Sequence, residues 1–186
     1  MRTSVKSISL ASGKGGVGKT VFSANLARLA STKLRCVLID FDFQNQGCSG
    51  LLSRFLFPGC VNAVDLLSHP TPELGELISI NPQLSFIPAF DPSKTERFAL
   101  QQNPMFLSLG LQSVNVTFQR LLTTDRFDVI VADCHGGLDD ISFATFIESD
   151  CTLIITEVDK VTFNGTLELI DYYWTRARAA SPRRGG

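Results

Sequence analysis

The stretch Gly13-Lys14-Gly15-Gly16-Val17-Gly18-Lys19-Thr20 constrains this chain more than any other. It has the phosphate-loop spacing, a glycine separated by four residues from Gly-Lys-Thr. Consecutive backbone N–H groups can surround a multiply charged phosphate only where side chains stay out of the way. Gly13, Gly15, Gly16 and Gly18 keep that space clear, and Lys19 adds an ammonium for the outer phosphates. The Thr20 hydroxyl is suited to ligating Mg²⁺. Such a loop needs a strand before it and a helix after it. Residues 5–11 alternate and carry β-branched side chains, as a strand requires. Phe22, Leu26, Leu29 and Ala30 recur at helical spacing, so a helix opens at the lysine with its N-terminal dipole toward the phosphates.

The remaining strands are legible by the same rules. Residues 35–41 hold a continuous apolar stretch that suits a strand buried on both faces. It ends in Asp40 and Asp42, which project to one side of an extended chain. In an open α/β sheet ligands bind at that end of a strand. Short helical pieces are predicted over 51–56, 61–67 and 73–78, the last two separated by His69-Pro70-Thr71-Pro72. His69 has no partner at ligand spacing and reads as a loop or core histidine. A strand is predicted at 84–88, broken by the segment around Pro92. A helix over 109–122 is carried by Leu111, Val114, Phe118, Leu121 and Leu122. Residues 127–133 form an apolar strand closed by Asp133, the Walker-B arrangement that orients Mg²⁺ or its waters. A helix at 141–147, a buried strand at 152–156 and a last helix packing Leu167, Ile170, Tyr173 and Trp174 complete the order. This alternation predicts an α/β fold with a mainly parallel sheet flanked by helices, a P-loop nucleotide-binding domain over 1–180 and a flexible tail at 181–186.

Composition narrows the class. With 186 residues, 44% apolar content and a net charge of −1, the chain can bury a sizeable core and is no polyanion-coating protein. No apolar run approaches the roughly 20 residues of a transmembrane segment, and no signal-peptide core opens the chain, so a cytoplasmic location is expected. Cys36, Cys48, Cys60, Cys134 and Cys151 are scattered without metal spacing and read as reduced, mostly buried thiols.

The loop with its second lysine resembles the deviant Walker A of the ParA/MinD family of P-loop ATPases. Residues 38–44 resemble the family's strand-end DxDxQ segment, 86–89 its middle strand ending in proline, and 127–133 its Walker B. These matches fall in the family's order over about residues 5 to 175. The resemblance implies a slow ATPase that uses ATP and Mg²⁺, dimerises around ATP, and serves plasmid or chromosome partitioning or intracellular positioning. It implies a homodimer and an activating partner protein. It gives catalytic roles to Lys14, which reaches the partner's nucleotide, to Asp42, which orients the attacking water, and to Asp40, which supports it. Gly13, Lys14, Gly15, Gly16, Val17, Gly18, Lys19, Thr20 and Val21 would hold the nucleotide, and Thr20 and Asp133 the metal.

The chain also departs from that pattern. Cys134-His135-Gly136-Gly137 stands where the family often has two prolines, and Val21 where a second threonine is common. Family members continue through further strands and helices that enclose the adenine and, in many, bind DNA or carry a membrane-targeting helix; this chain is short by comparison. Its basic residues Arg176, Arg178, Arg183 and Arg184 make only a small cluster, so non-specific DNA binding is not supported by the residues present. Two further readings stay open: a nucleotide-dependent carrier of metal or clusters, and a shortened nucleotide-binding relic without turnover.

Overall fold

A computed structural model describes residues 5–68, 75–93, 110–124 and 126–180. Its elements in chain order begin with β1 (Ser7–Ser12), α1 (Lys19–Ala30), β2 (Cys36–Asp40), α2 (Gly47–Leu51) and a 3-10 turn (Ser53–Phe55). There follow α3 (Ala63–Ser68), β3 (Ile78–Asn81), β4 (Leu84–Ile87), α4 (Gly110–Thr123) and β5 (Val129–Gly136). The last are α5 (Asp140–Glu148), β6 (Cys151–Ile154) and α6 (Lys160–Ala180).

The six strands form one sheet in the order β3-β4-β2-β5-β1-β6. All pairings are parallel except β3 with β4. From β1 the chain passes over β5 to reach β2, and from β5 it passes over β1 to reach β6. The two crossings run in opposite directions, which opens a crevice at the C-terminal ends of β1 and β5.

Both faces of the sheet are buried, and the two-residue period of β2 shows how. Val37, Ile39 and Phe41 join one apolar cluster with Ala63, Val114 and Phe118, whereas Cys36 and Leu38 join another with Leu10 and Ala27. Each fully buried branched or aromatic side chain contributes about 1.5–3 kcal/mol relative to exposure. Asp150 anchors the start of β1, accepting the backbone N–H groups of Lys6 and Ser7 at 2.8 and 2.9 Å.

Several expectations are corrected. The helix predicted at 73–78 is absent where the chain is described: residues 75–77 are irregular, and Ile78 opens β3 by pairing opposite Phe86. Its first two residues, like His69 to Pro72, lie outside the described residues. The helix expected at 51–56 is displaced, α2 ending at Leu51 and a 3-10 turn following. β6 is half-buried, because it is the sheet's edge. β5 does not close at Asp133 but runs on to Gly136.

Two helices bury other faces than their largest apolar residues suggest. In α1 the buried residues are Lys19, Ser23 and Ala27, while Phe22 and Leu29 are exposed. Ser23 and Ala27 are small side chains facing the sheet, and Ser23 is held there by its hydroxyl bond to Asp133. In α6 the inward stripe is Thr162, Thr166, Leu169 and Tyr173, whereas Leu167, Ile170 and Trp174 are exposed. The close contact of Gly13 with Gly165 sets that rotation: a Cβ on Gly13 would lie 2.0 Å from the Gly165 carbonyl oxygen. Backbone meets backbone there, so the helix must turn its small face to the loop.

Candidate functional site

The loop between β1 and α1 supplies the first half of the site. Gly16 and Gly18 take φ of 85° and 88°, the left-handed conformations that curl the chain so that successive N–H groups face one way. Beyond them α1 begins with no side-chain cap at Gly18, leaving its first N–H groups directed at the loop. A Cβ at Gly15, Gly16 or Gly18 would meet nothing within 4 Å, so the mouth of the loop is open.

Lys19 turns inward and is 5% exposed, yet its ammonium makes no ion pair among the described residues. The charge of Asp133 acts on it from nearby without an ion pair, and an anion in the loop would offset the cost of holding an inward cation with no close partner among the described residues. The residues present therefore fit a phosphate. Lys14 is exposed at the outer mouth, and Val21 directs its side chain to solvent. The groups of the loop that fit a phosphate are thus the backbone of Gly13 to Gly18, Lys19 and Thr20.

The second half of the site comes from β5 and β2. Asp133 is fully buried and lies opposite Asp40 in the sheet register. Its Oδ2 accepts the Thr20 hydroxyl at 2.9 Å and the Cys48 thiol at 3.3 Å, and its Oδ1 accepts the Ser23 hydroxyl at 2.8 Å. Burial pushes this carboxyl up from its ordinary value against those hydrogen bonds. Thr20 spends its proton on Asp133, so its oxygen keeps lone pairs for a cation. That donor set, a hydroxyl oxygen beside a carboxylate, suits Mg²⁺ held by Thr20 directly and by Asp133 through water.

Asp40 and Asp42 leave β2 in different roles. Asp40 is wholly buried; its Oδ2 accepts the N–H and hydroxyl of Ser49, both at 2.7 Å, and its Oδ1 accepts the N–H of Asp42 at 3.1 Å. It braces the turn that carries Asp42. Asp42 accepts the N–H of Asn45 at 2.9 Å and the imidazole of His135 at 3.0 Å. Burial acts to raise the Asp42 carboxyl, but the bonds from His135 and Asn45 outweigh it and hold it below the usual value. His135 is raised in turn, chiefly by its bond to Asp42.

Sequence reasoning brought Lys19, Thr20, Asp133, Asp40 and Asp42 to one place. It missed Ser23, Asn45, Cys48, Ser49 and His135. A partial signal existed: Ser23 lies on the Lys19 face of α1, and Asn45 is three residues past an aspartate, the spacing of a side-chain-capped turn. Nothing local marked Ser49 or His135. Four of the five cysteines are buried and Cys151 is intermediate, and all are free thiols. Arg176 pairs with Asp140 at 2.5 Å and Arg178 lies over Trp174, while Arg183 and Arg184 fall outside the described residues. Among the described residues no helix is long and apolar enough to cross a membrane.

A glycine loop between a strand and a helix, an inward lysine and an acid on the neighbouring strand define a P-loop nucleotide-binding site. The chain belongs to a family described as AAA domain, matched over residues 5–177, and within it to the ParA/MinD P-loop ATPases. It is 31% identical over 138 residues to the septum site-determining protein MinD of Synechocystis, covering 71% of this chain and 46% of that protein. Its fold is similar to a plasmid partition protein of Borrelia burgdorferi bound to AMPPNP, with a TM-score of 0.76, 21% identity and coverage of 95% and 72% of the two chains. It is also similar to MinD of Pyrococcus horikoshii complexed with Mg-ADP, with a TM-score of 0.67, 18% identity and coverage of 92% and 65%. The chain thus spans about half the length of the Synechocystis relative.

Proposed function

We propose that this chain is a Mg²⁺-dependent ATPase switch of the partitioning or positioning type, forming a dimer around ATP. The observation that carries the reading is the inward Lys19 side chain, whose ammonium makes no ion pair among the described residues, near the bonded pair Thr20 and Asp133. The AMPPNP-bound and Mg-ADP-bound relatives support adenine nucleotide as the ligand. When bound, Mg²⁺ neutralises charge on the outer phosphates.

The chain's own residues do the rest. Loop N–H groups and Lys19 hold the phosphates in the crevice at the strand ends. Thr20 presents its oxygen to the cation side while Asp133 keeps that hydroxyl oriented. Asp42, ionised and restrained, accepts a hydrogen bond from the attacking water and aims it at the terminal phosphate. Lys14 stands outside the loop, free to meet developing charge on a partner's nucleotide, as an arginine finger does. The cargo is a partner protein or the body that is positioned.

The test is calorimetry of ATP binding with and without Mg²⁺, together with phosphate release by the purified chain. The parent should bind and turn over slowly, whereas Lys19→Ala should bind no ATP. A Lys19→Ala chain that bound ATP as tightly as the parent would remove the phosphate-loop assignment. Binding without turnover would reduce the protein to a nucleotide holder.

A further inference from the structure

The continuation of β5 beyond Asp133 has a chemical result. It carries the imidazole of His135 to Asp42, separated from it by 93 residues of sequence. An ionised carboxylate only accepts, so Nδ1 of His135 carries the proton and donates to Asp42 Oδ1 at 3.0 Å. Asn45 approaches from the β2 side, its N–H 2.9 Å from Oδ1 and its Nδ2 3.2 Å from Oδ1 and 3.1 Å from Oδ2. With Nδ1 protonated, the Asn45 amide, 3.4 Å from it, finds no acceptor there and keeps its protons on the carboxylate. Oδ1 is therefore held from two segments, while among the described residues Oδ2 has one partner, the Asn45 amide, and a lone pair to spare.

The surroundings keep the clamp in place. The His135 side chain is 18% exposed and that of Asp42 6%, so water competes poorly for the contact. Gly136, next along the strand, lets β5 press on the phosphate loop: a Cβ there would lie 2.9 Å from the Gly15 backbone and the Lys14 carbonyl oxygen. One strand thus carries Asp133 on the metal side, His135 on the water side and the floor under the loop.

We propose that His135 is a positioning residue for hydrolysis, its Nδ1–H fixing Oδ1 of Asp42 so that Oδ2 is left to orient the attacking water. The proposal rests on the ATPase reading above. Without the clamp Asp42 can rotate, which lowers the rate of the chemical step and leaves nucleotide affinity alone.

Side-chain geometry supplies the test, because an asparagine amide nitrogen falls near the position of Nδ1 and a glutamine amide nitrogen near that of Nε2. Steady-state ATP hydrolysis by the full chain is compared for the parent, His135→Ala, His135→Gln and His135→Asn, with Asp42→Ala marking the floor. The Ala and Gln variants should lose about tenfold in kcat at unchanged KM for Mg·ATP, and Asn should stay within about threefold of the parent. Unchanged kcat in His135→Ala, equal rescue by Gln and Asn, or a raised KM with kcat intact would overturn the role. NMR of the imidazole nitrogens reads the contact without turnover: the parent should hold the Nδ1–H tautomer and Asp42→Ala should release it to the commoner Nε2–H form. An Nε2–H parent overturns the clamp itself. A parent with the Nδ1–H tautomer but no turnover above Asp42→Ala would instead sink the ATPase reading, and the positioning role with it.

Discussion

The hydroxyl of Thr20 donates to Oδ2 of Asp133 at 2.9 Å, tying the last residue of the phosphate loop to the acid of β5 across 113 residues of sequence. The direction of this bond matters more than its length. Because the threonine gives the proton, its oxygen lone pairs remain for a hard cation, as the metal role proposed for this pair requires.

If that pair forms the metal side, Thr20→Ala should abolish the Mg²⁺ enhancement of ATP binding. Asp133→Asn should weaken it by about tenfold or more, since an amide cannot replace the negative charge. Calorimetric titration of ATP at several Mg²⁺ concentrations measures both. An enhancement equal to the parent's in Thr20→Ala would move the metal elsewhere.

Asp42→Ala should separate affinity from rate. Among the described residues the acid bonds to His135 and Asn45 and to no loop side chain, so binding should stay within about threefold of the parent. Turnover should fall by about a hundredfold or more, the scale of a lost proton-accepting group. Single-turnover hydrolysis distinguishes the two effects, and a parental rate would transfer the water-orienting role away from Asp42.

Lys14→Ala addresses the dimer. The exposed position of Lys14 contrasts with the burial of Lys19, so its loss should leave ATP binding by the single chain intact. ATP-dependent dimerisation and hydrolysis should disappear together. Light scattering with a non-hydrolysable analogue reads the first directly. Normal dimerisation by the variant, or a parent that stays monomeric at saturating nucleotide, would rule out an ATP sandwich.

Asp40 predicts a pH dependence of stability. Burial pushes its carboxyl up to about 7, against the hydrogen bonds from Ser49. The folded chain therefore binds this proton more tightly than the unfolded chain, whose carboxyl titrates near about 3.9. The contribution is fully present below about pH 4 and is lost as pH rises through about 7, with roughly 4 kcal/mol as the upper limit of the swing. Asp40→Asn has no proton to lose, so its stability relative to the parent should improve steadily from about pH 4 to about pH 8. Asp128 and Asp150, which are held below their usual values and have no bond to Asp40 among the described residues, act in the opposite sense but cancel in the comparison. Denaturant unfolding at several pH values, without metal or nucleotide, gives the difference. A pH-independent difference would mean that Asp40 is ionised in the folded chain throughout.

Some of this protein was written in consecutive residues. A loop of glycines with Lys19 and Thr20 needs only local geometry, because every N–H group it uses lies within one turn of chain. Strands buried on both faces declare themselves by unbroken apolar runs, which is why β2 and β5 and the acids that follow those runs were legible. What the tertiary structure alone decided is whatever depends on a neighbour far along the chain. The antiparallel β3 exists because Ile78 can pair opposite Phe86 at the sheet's edge, a choice its own residues do not encode. The faces of α1 and α6 follow a side-chain bond to Asp133 and a close backbone approach at Gly165 and not apolar bulk, so Ala27 and Thr166 turn inward while Leu29 and Trp174 stay outside. The clamp on Asp42 needs β5 to lie beside β2 and to run past Asp133, and only then does the residue at 135 become part of the site. Sequence determines which groups carry charge and protons; which of them meet is set by strand order, because a carboxylate and an imidazole interact through distance and not through position in the chain.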